Sequence, residues 1–273
     1  MNALATIRHT LRGGLAALRV SMLVQTQYRA NMAIWSMASI LQIVVYLSVW
    51  RAVAEAGGTT GGFTPSQFAG YFLMLLLVRE FTYSWMPYML ADDVRSGKLS
   101  GLLMRPLHPI VQHSADMVAH RIQSVAMLVP VAAILVFAFD ASVDLRPGAL
   151  AMALLVVLPL AALVRLLVDS LFALTSMWLT RIDGIRNMYY LVLLLLGGQF
   201  APIDVLPTAL QAVAKALPFY WTLGFPTELL IGRASIAEAW TGAAVLAAWA
   251  IGTLLVLQPA WRAGTRAYEA VGS

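Results

Sequence analysis

The amino-acid sequence predicts an all-α integral membrane protein. Its elements are six transmembrane helices, an amphipathic amino-terminal helix, and a re-entrant helical hairpin on the external side between helices 5 and 6. Hydrophobic residues make up 60% of the 273 residues and charged residues 11%, whereas an ordinary soluble domain is about 25% charged. Several apolar runs reach or approach the roughly 20 residues that cross a bilayer core. Lipid is therefore the expected solvent for most of the chain.

The basic residues indicate a membrane partner and not nucleic acid. The formal net charge is +5, but Lys and Arg are spread over the ends of the apolar segments instead of forming a patch. The connections alternate along the chain between two sets, and one set carries only Arg51, Arg146, Lys215 and Arg233. Because the other set is much richer in Lys and Arg, the positive-inside rule places both termini in the cytoplasm.

Residues 1–30 form the predicted amphipathic helix. Its arginines are separated by apolar residues at helical spacing, as in helices that lie in the membrane interface: Arg8, Arg12, Arg19 and Arg29. The apolar stretch from Asn31 to about Val53 lacks a convincing cleavage site for a signal peptide. It is therefore predicted to be the first span, retained in the mature protein.

Five further spans follow along the chain. They are predicted at about residues 68–90, 116–139, 148–179, 188–200 and 237–257. The fourth is long for a perpendicular helix, so we expect it to tilt, to kink near Pro159 or to extend beyond the bilayer. The fifth is unusually short.

The segment between the fifth and sixth spans, residues 201–233, is apolar but too interrupted to cross the bilayer. Its prolines divide it into two short amphipathic stretches: Pro202, Pro207, Pro218 and Pro226. It is either a re-entrant hairpin in the outer leaflet, which needs surrounding protein or water at membrane depth, or an interfacial external loop. We favour the hairpin, with Phe219, Tyr220 and Trp221 as an aromatic anchor at the outer interface.

Motifs for catalysis and nucleotide binding are missing from the sequence. The phosphate-binding pattern G-x-x-x-x-G-K-[ST] does not occur, so the chain is not expected to hydrolyse ATP or to be an enzyme. The run LLGGQ at Leu195–Gln199 superficially resembles an ATPase signature, but its glycines lie in an apolar span and suit helix packing. The chain has no cysteine, and His113 and His120, two helical turns apart, are better explained as interfacial histidines than as metal ligands.

The order of these parts resembles the permease subunits of type 2 ABC exporters, in particular the viologen-exporter-like subgroup. The resemblance covers nearly the whole chain, and residues 1–30 correspond to the elbow helix of that family. Three local patterns carry it: RSGKLSGLLMRPLHP at 95–109, GGQFAPIDVLP to LPFYWTLGFP at 197–226, and RAYEAVGS at 266–273.

The resemblance implies a single transmembrane permease domain over residues 1–273, in the plasma (inner) membrane. It implies a second permease, either an identical or a homologous chain, and two copies of a separate ABC ATP-binding subunit. ATP and magnesium would be bound by that subunit, and no cofactor by this chain. The expected function is the ATP-driven export of an amphipathic, hydrophobic or cationic compound. A non-transporting membrane subunit with an assembly or signalling role is the alternative.

Residues 91–109 are the expected contact with the ATP-binding subunit. Charged residues occur throughout this cytoplasmic segment, and prolines end its short helix before the chain re-enters the bilayer: Asp92, Asp93, Arg95, Lys98 and Arg105. A short, charged helix suits the transmission of force. The alternative is an ordinary solvated loop.

Four charges fall inside predicted spans. Arg79 and Glu80 lie in the second span, and Arg165 and Asp169 lie one helical turn apart on one face of the fourth. Because a charge at the bilayer centre costs about 2.5 to 3.5 kcal/mol on insertion scales, these side chains should face the protein interior or a wet cavity. They are either a structural clamp, for example of Glu80 with Arg165, or part of a translocation path in which Glu80 or Asp169 attracts a cationic substrate.

Overall fold

A computed structural model describes residues 3–27, 29–57, 61–143, 145–179 and 181–271. The side chains of residues 3–11, 29–32 and 269–271 lie outside this description, and so do those of Arg8 and Arg29 in the predicted amphipathic helix. Over the described residues the chain is helical, with no extended β-strand. This confirms the all-α prediction.

The helices are numbered in chain order. The first six are α1 (Ala3–Gln27), α2 (Arg29–Gly57), α3 (Pro65–Thr82), α4 (Met86–Arg95), α5 (Lys98–Leu103) and α6 (Pro109–Ala138). The next are α7 (Pro147–Met152), α8 (Leu158–Ala173), α9 (Asp183–Leu196), α10 (Thr208–Ala216), α11 (Pro218–Thr222), α12 (Gly224–Leu230) and α13 (Ile236–Val271).

Four helical segments of the described chain are long and apolar enough to cross a membrane: Ala33–Gly57, Pro109–Ala138, Pro147–Met177 and Ile236–Tyr268. They correspond to predicted spans 1, 3, 4 and 6. The helices at the second and fifth predicted spans are shorter, with 18 residues in α3 and 14 in α9. At 1.5 Å per residue, α9 is about 21 Å long, less than the roughly 30 Å of a bilayer core. That the chain crosses the membrane six times therefore stays a prediction.

The predicted second span is not one continuous helix. It stops at Thr82, and α4 begins after the irregular residues Tyr83–Trp85. The physical cause is Pro87, whose nitrogen cannot donate to the carbonyl four residues earlier, that of Tyr83. Arg121 of α6 donates to this carbonyl instead, from Nε at 3.2 Å and Nη2 at 3.0 Å. A side chain from another helix thus supplies the hydrogen bond that the backbone lacks at the interruption.

The long fourth segment also departs from regular α-helix. A π-helical turn at Ala153–Val157 separates α7 from α8, and a 3₁₀ turn at Leu174–Met177 ends the segment. Pro159 lies just after the π-turn, so the extra residue per turn accommodates a position at which α-helical bonding is lost. The prediction that this segment deviates near Pro159 agrees with the structure.

Helices α3 and α8 form the centre of the protein. Residues 68–76 of α3 are buried, and α3 packs against α2, α6, α8 and α12. Helix α8 packs against α13, α4 and α11. The amphipathic α1 lies along α6, where Ser21 Oγ donates to Asp116 Oδ1 at 2.5 Å. Because α3 and α8 are buried at the centre, these two helices fix the positions of the polar side chains that they carry.

Candidate functional site

A cavity of about 940 Å³ lies among α1, α2, α3, α4, α6, α8 and α9. Its volume is at the upper end of the roughly 300 to 1,000 Å³ typical of ligand pockets. Three of its walls, those of α2, α6 and α8, belong to segments long enough to cross a membrane. The cavity therefore lies between helices that are candidates to span a membrane, the setting expected of a site that holds a transported compound.

Aromatic side chains form much of the wall. The rings of Tyr88 and Tyr190 stack with centroids 5.9 Å apart, and the ring of Trp85 lies 4.2 Å from that of His120. The guanidinium of Arg186, at the start of α9, lies 4.0 Å from the centroid of Tyr88, a distance at which the ring face attracts a cation. This wall offers flat apolar surface to a ligand.

Two of the predicted intramembrane charges line the cavity beside each other. Arg79 Nη1 donates to Gln42 Oε1 at 2.7 Å, and Glu80 Oε1 accepts from Ser39 Oγ at 3.0 Å. Ser39 and Gln42 are three residues apart on α2 and therefore lie on one face of that helix. Each charge of α3 is thus held by a neutral side chain of α2.

The other two predicted charges pair with each other within α8. Arg165 Nε lies 2.9 Å from Asp169 Oδ2, and the two side chains are 3% and 0% exposed. The hydroxyl of Tyr189 in α9 donates to the second Asp169 oxygen. Arg165 lines the cavity, whereas Asp169 lies behind it. The expected clamp of Glu80 with Arg165 is wrong, because the nearer partner of Arg165 is on its own helix.

Arg121, which the sequence analysis did not single out, lies within Pro109–Ala138, a segment long and apolar enough to cross a membrane. Its guanidinium holds the Tyr83 carbonyl at the interruption between α3 and α4, and Tyr83 and Trp85 of that interruption line the cavity. The signal that could have found it is Pro87, since a proline inside an apolar run frees a carbonyl that needs another donor. Arg121 therefore has a backbone partner and not a carboxylate.

The segment 91–109, which is predicted to be cytoplasmic, has an exposed and a buried part. Asp92 pairs with Arg95 at 3.0 Å and with Lys98 at 3.3 Å, and all three side chains are exposed. The hydrogen bonds from Arg95 and Lys98 lower the pKa of the Asp92 carboxyl. Asp93, in contrast, is buried, with its Oδ2 2.6 Å from His113 Nε2 of α6.

Arg105 continues the exposed part, and Nη1 of its guanidinium donates to Gln112 Oε1 at 3.3 Å. The charges expected to contact a partner therefore divide into two groups. Asp92, Arg95, Lys98 and Arg105 are on the surface, whereas Asp93 fixes α4 against α6 through His113.

The three aromatic residues of the segment 201–233, which is predicted to be external, point largely inwards. Tyr220 is 5% exposed, and its hydroxyl donates to Glu228 Oε2 at 2.7 Å. Trp221 is partly buried, and its Nε1 donates to the carbonyl of Lys215 at 2.7 Å. The ring of Phe219 lies 5.7 Å from that of Tyr189. For Tyr220 the prediction of an interfacial anchor is wrong, because the α12 carboxylate binds its hydroxyl inside the protein.

Residues 39–272 match the family model described as ABC-2 family transporter protein. The match takes in the segment 91–109 and most residues that line the cavity, but not the lining residues before Ser39, which belong to α1 and the start of α2. A search among curated proteins gave no match to the chain. Since the matched residues make up well over half of the chain, the protein belongs to the ABC-2 family and is a multi-pass transmembrane permease of an ABC transporter.

Proposed function

We propose that this chain is the permease subunit of an ATP-driven exporter of the viologen-exporter-like subgroup. With a second permease, identical or homologous, it forms the path for an amphipathic, hydrophobic or cationic compound. The observation that carries the proposal is the cavity of about 940 Å³ between candidate membrane-spanning helices, with aromatic walls and charges of both signs. A lipid-filled gap between helices needs no polar lining, whereas a path for amphipathic compounds needs both kinds of surface.

The division of labour follows from family membership, which implies an ATP-binding partner. Two copies of that subunit, each binding ATP and magnesium, would dock on the two permeases. The exposed Asp92, Arg95 and Lys98 cluster and Arg105 are the proposed contact, because surface charges steer and orient a protein partner. This chain itself binds no nucleotide in the proposal.

The remaining parts have topological roles in the proposal. Residues 1–30 are the elbow helix in the cytoplasmic interface, both termini are cytoplasmic, and the protein is in the inner membrane. Residues 201–233 form the external re-entrant hairpin. Its support is that α12 is buried throughout and packs against α3 and α7, since protein surroundings are what irregular backbone needs at membrane depth.

The test is transport by inside-out vesicles that contain the permease and its ATP-binding partner. Fluorescent hydrophobic, cationic and zwitterionic dyes should accumulate when ATP is added, and vanadate, which blocks ATP hydrolysis, should abolish the accumulation. Vesicles with the ATP-binding subunit but without the permease are the control. If no class of dye accumulates although the partner hydrolyses ATP, the chain is a non-transporting subunit.

A further inference from the structure

Two opposite charges face the cavity without an ionic partner. Arg79 and Glu80 take part in none of the ion pairs formed among the described residues, and their hydrogen-bond partners, Gln42 and Ser39, are neutral. Neutral partners satisfy part of the hydrogen-bonding capacity of each group but do not cancel its charge. Both charges therefore remain available to a ligand.

The third charge of the wall is already compensated. Arg165 lines the cavity, but Asp169 lies 2.9 Å away behind it. Among the side chains that the structure describes, the formal charge of the wall thus comes from Arg79 and Glu80 and sums to zero. A ligand with a cationic group alone would gain attraction at Glu80 and meet repulsion at Arg79, the next residue of the helix, and a ligand with an anionic group alone would have the reverse problem.

We infer that the cavity binds a zwitterionic amphiphile. Its anionic group pairs with Arg79, its cationic group pairs with Glu80, and its apolar body lies against the aromatic wall. The inference rests on the proposed function, since it takes this cavity as the transport site.

A zwitterionic amphiphile has two natural sources, a membrane phospholipid such as phosphatidylethanolamine and a small aromatic compound that carries a carboxylate and an amine. Both present an anion and a cation near an apolar body. The recognition chemistry at Arg79 and Glu80 is the same for both.

The experiment measures dye binding to the purified permease alone, in nanodiscs of phosphatidylglycerol, by fluorescence anisotropy with empty nanodiscs as the blank. The probes are rhodamine B, a zwitterion, and its ethyl ester, a cation with the same ring system. The unmodified protein should bind rhodamine B about 10-fold more tightly than the ester, the ratio expected for one charge-assisted hydrogen bond of about 1.4 kcal/mol. This comparison needs no variant to fold.

Two variants test whether the preference for rhodamine B over its ester depends on the charges of Arg79 and Glu80. Arg79→Gln should remove it, because the carboxylate loses its partner and the ester loses a repulsion. Glu80→Gln should weaken the binding of both dyes by a similar factor. Arg262→Gln, an exposed arginine of α13 distant in sequence from the cavity walls, should bind both dyes like the unmodified protein.

The inference is overturned if the unmodified protein binds the ester as tightly as rhodamine B, if neither dye binds, or if Arg79→Gln leaves the ratio unchanged. Adding phosphatidylethanolamine to the nanodiscs identifies the source. Competition with rhodamine B indicates a lipid headgroup, and no competition indicates a small compound. Because this assay contains no ATP-binding subunit, a failure of ATP-driven transport would contradict the proposed function without changing the binding result.

Discussion

Replacing Asp169 by asparagine should strongly destabilise the protein, because it leaves the Arg165 guanidinium charged and buried. The two side chains are 3% and 0% exposed with a closest N–O distance of 2.9 Å, so water has no access to replace the carboxylate. Breaking a buried pair from one side costs about 3 to 5 kcal/mol, against the about 5 to 15 kcal/mol that keeps a typical domain folded. Removing both charges, as in Arg165→Met with Asp169→Leu, should cost little or even stabilise the protein.

The chain contains a matched control. Arg51 and Glu55 have the same spacing of four residues and an N–O distance of 2.8 Å, but their side chains are 36% and 55% exposed. Glu55→Gln should therefore cost less than about 1 kcal/mol. The assay is the yield of monodisperse protein after detergent extraction, together with its melting temperature. Equal yields for Asp169→Asn and Glu55→Gln, or a double variant no better than Asp169→Asn, would refute the reasoning.

Three further predictions concern the segments 91–109 and 201–233. Charge reversal at Arg95 with Lys98 should lower substrate-stimulated ATPase activity of the assembled transporter while membrane insertion stays normal, and unchanged stimulation would remove the segment from coupling. Cysteines at Ala212, which is exposed, and Thr227, which is 0% exposed, should differ in labelling by a bulky aqueous maleimide, rapid at the first and slow at the second. Equal rates would indicate a solvated loop. Burial raises the pKa of Glu228 to about 7 from 4.5. Between these two pH values the folded protein binds a proton at Glu228 that the unfolded chain has released. The stability of the protein should therefore fall as the pH rises from about 4.5 through 7. In Glu228→Gln this pH dependence of the melting temperature should disappear, and its persistence would exclude Glu228 as the cause.

The sequence predicted what depends on local periodicity. The amphipathic α1, the long apolar helices and the placement of Arg165 and Asp169 on one face all follow from spacing along a single helix. Over the described residues, the structure has a helix at Ala3–Gln27, long apolar helices at four of the six predicted spans, and the contact of Arg165 with Asp169.

What failed depends on the packing of one helix against another. Nothing in the sequence says that Glu80 meets Ser39 instead of Arg165, since that choice is set by the rotation of α2 and α3 about their axes. The inward direction of Tyr220 depends likewise on a carboxylate eight residues later, Glu228. The interruption after Thr82 was predictable from Pro87, but the high apolar content of residues 68–90 outweighed that signal.

Because of the interruption at Tyr83–Trp85, the residues of the cavity wall on its two sides belong to separate helices, α3 and α4. Arg79 and Glu80 belong to α3, which is buried in the centre of the protein, whereas Tyr88 belongs to α4, whose other end carries the exposed Asp92 and Arg95. The ten residues of α4 form a rod of about 15 Å. A swing of this rod by about 10° around the interruption moves its far end by about 2.6 Å. A force at this end of α4 that overcomes the Asp93–His113 contact with α6 would therefore shift Tyr88 relative to Arg79 and Glu80. The contact with the apolar body of a ligand would then change separately from the contacts with its charged groups.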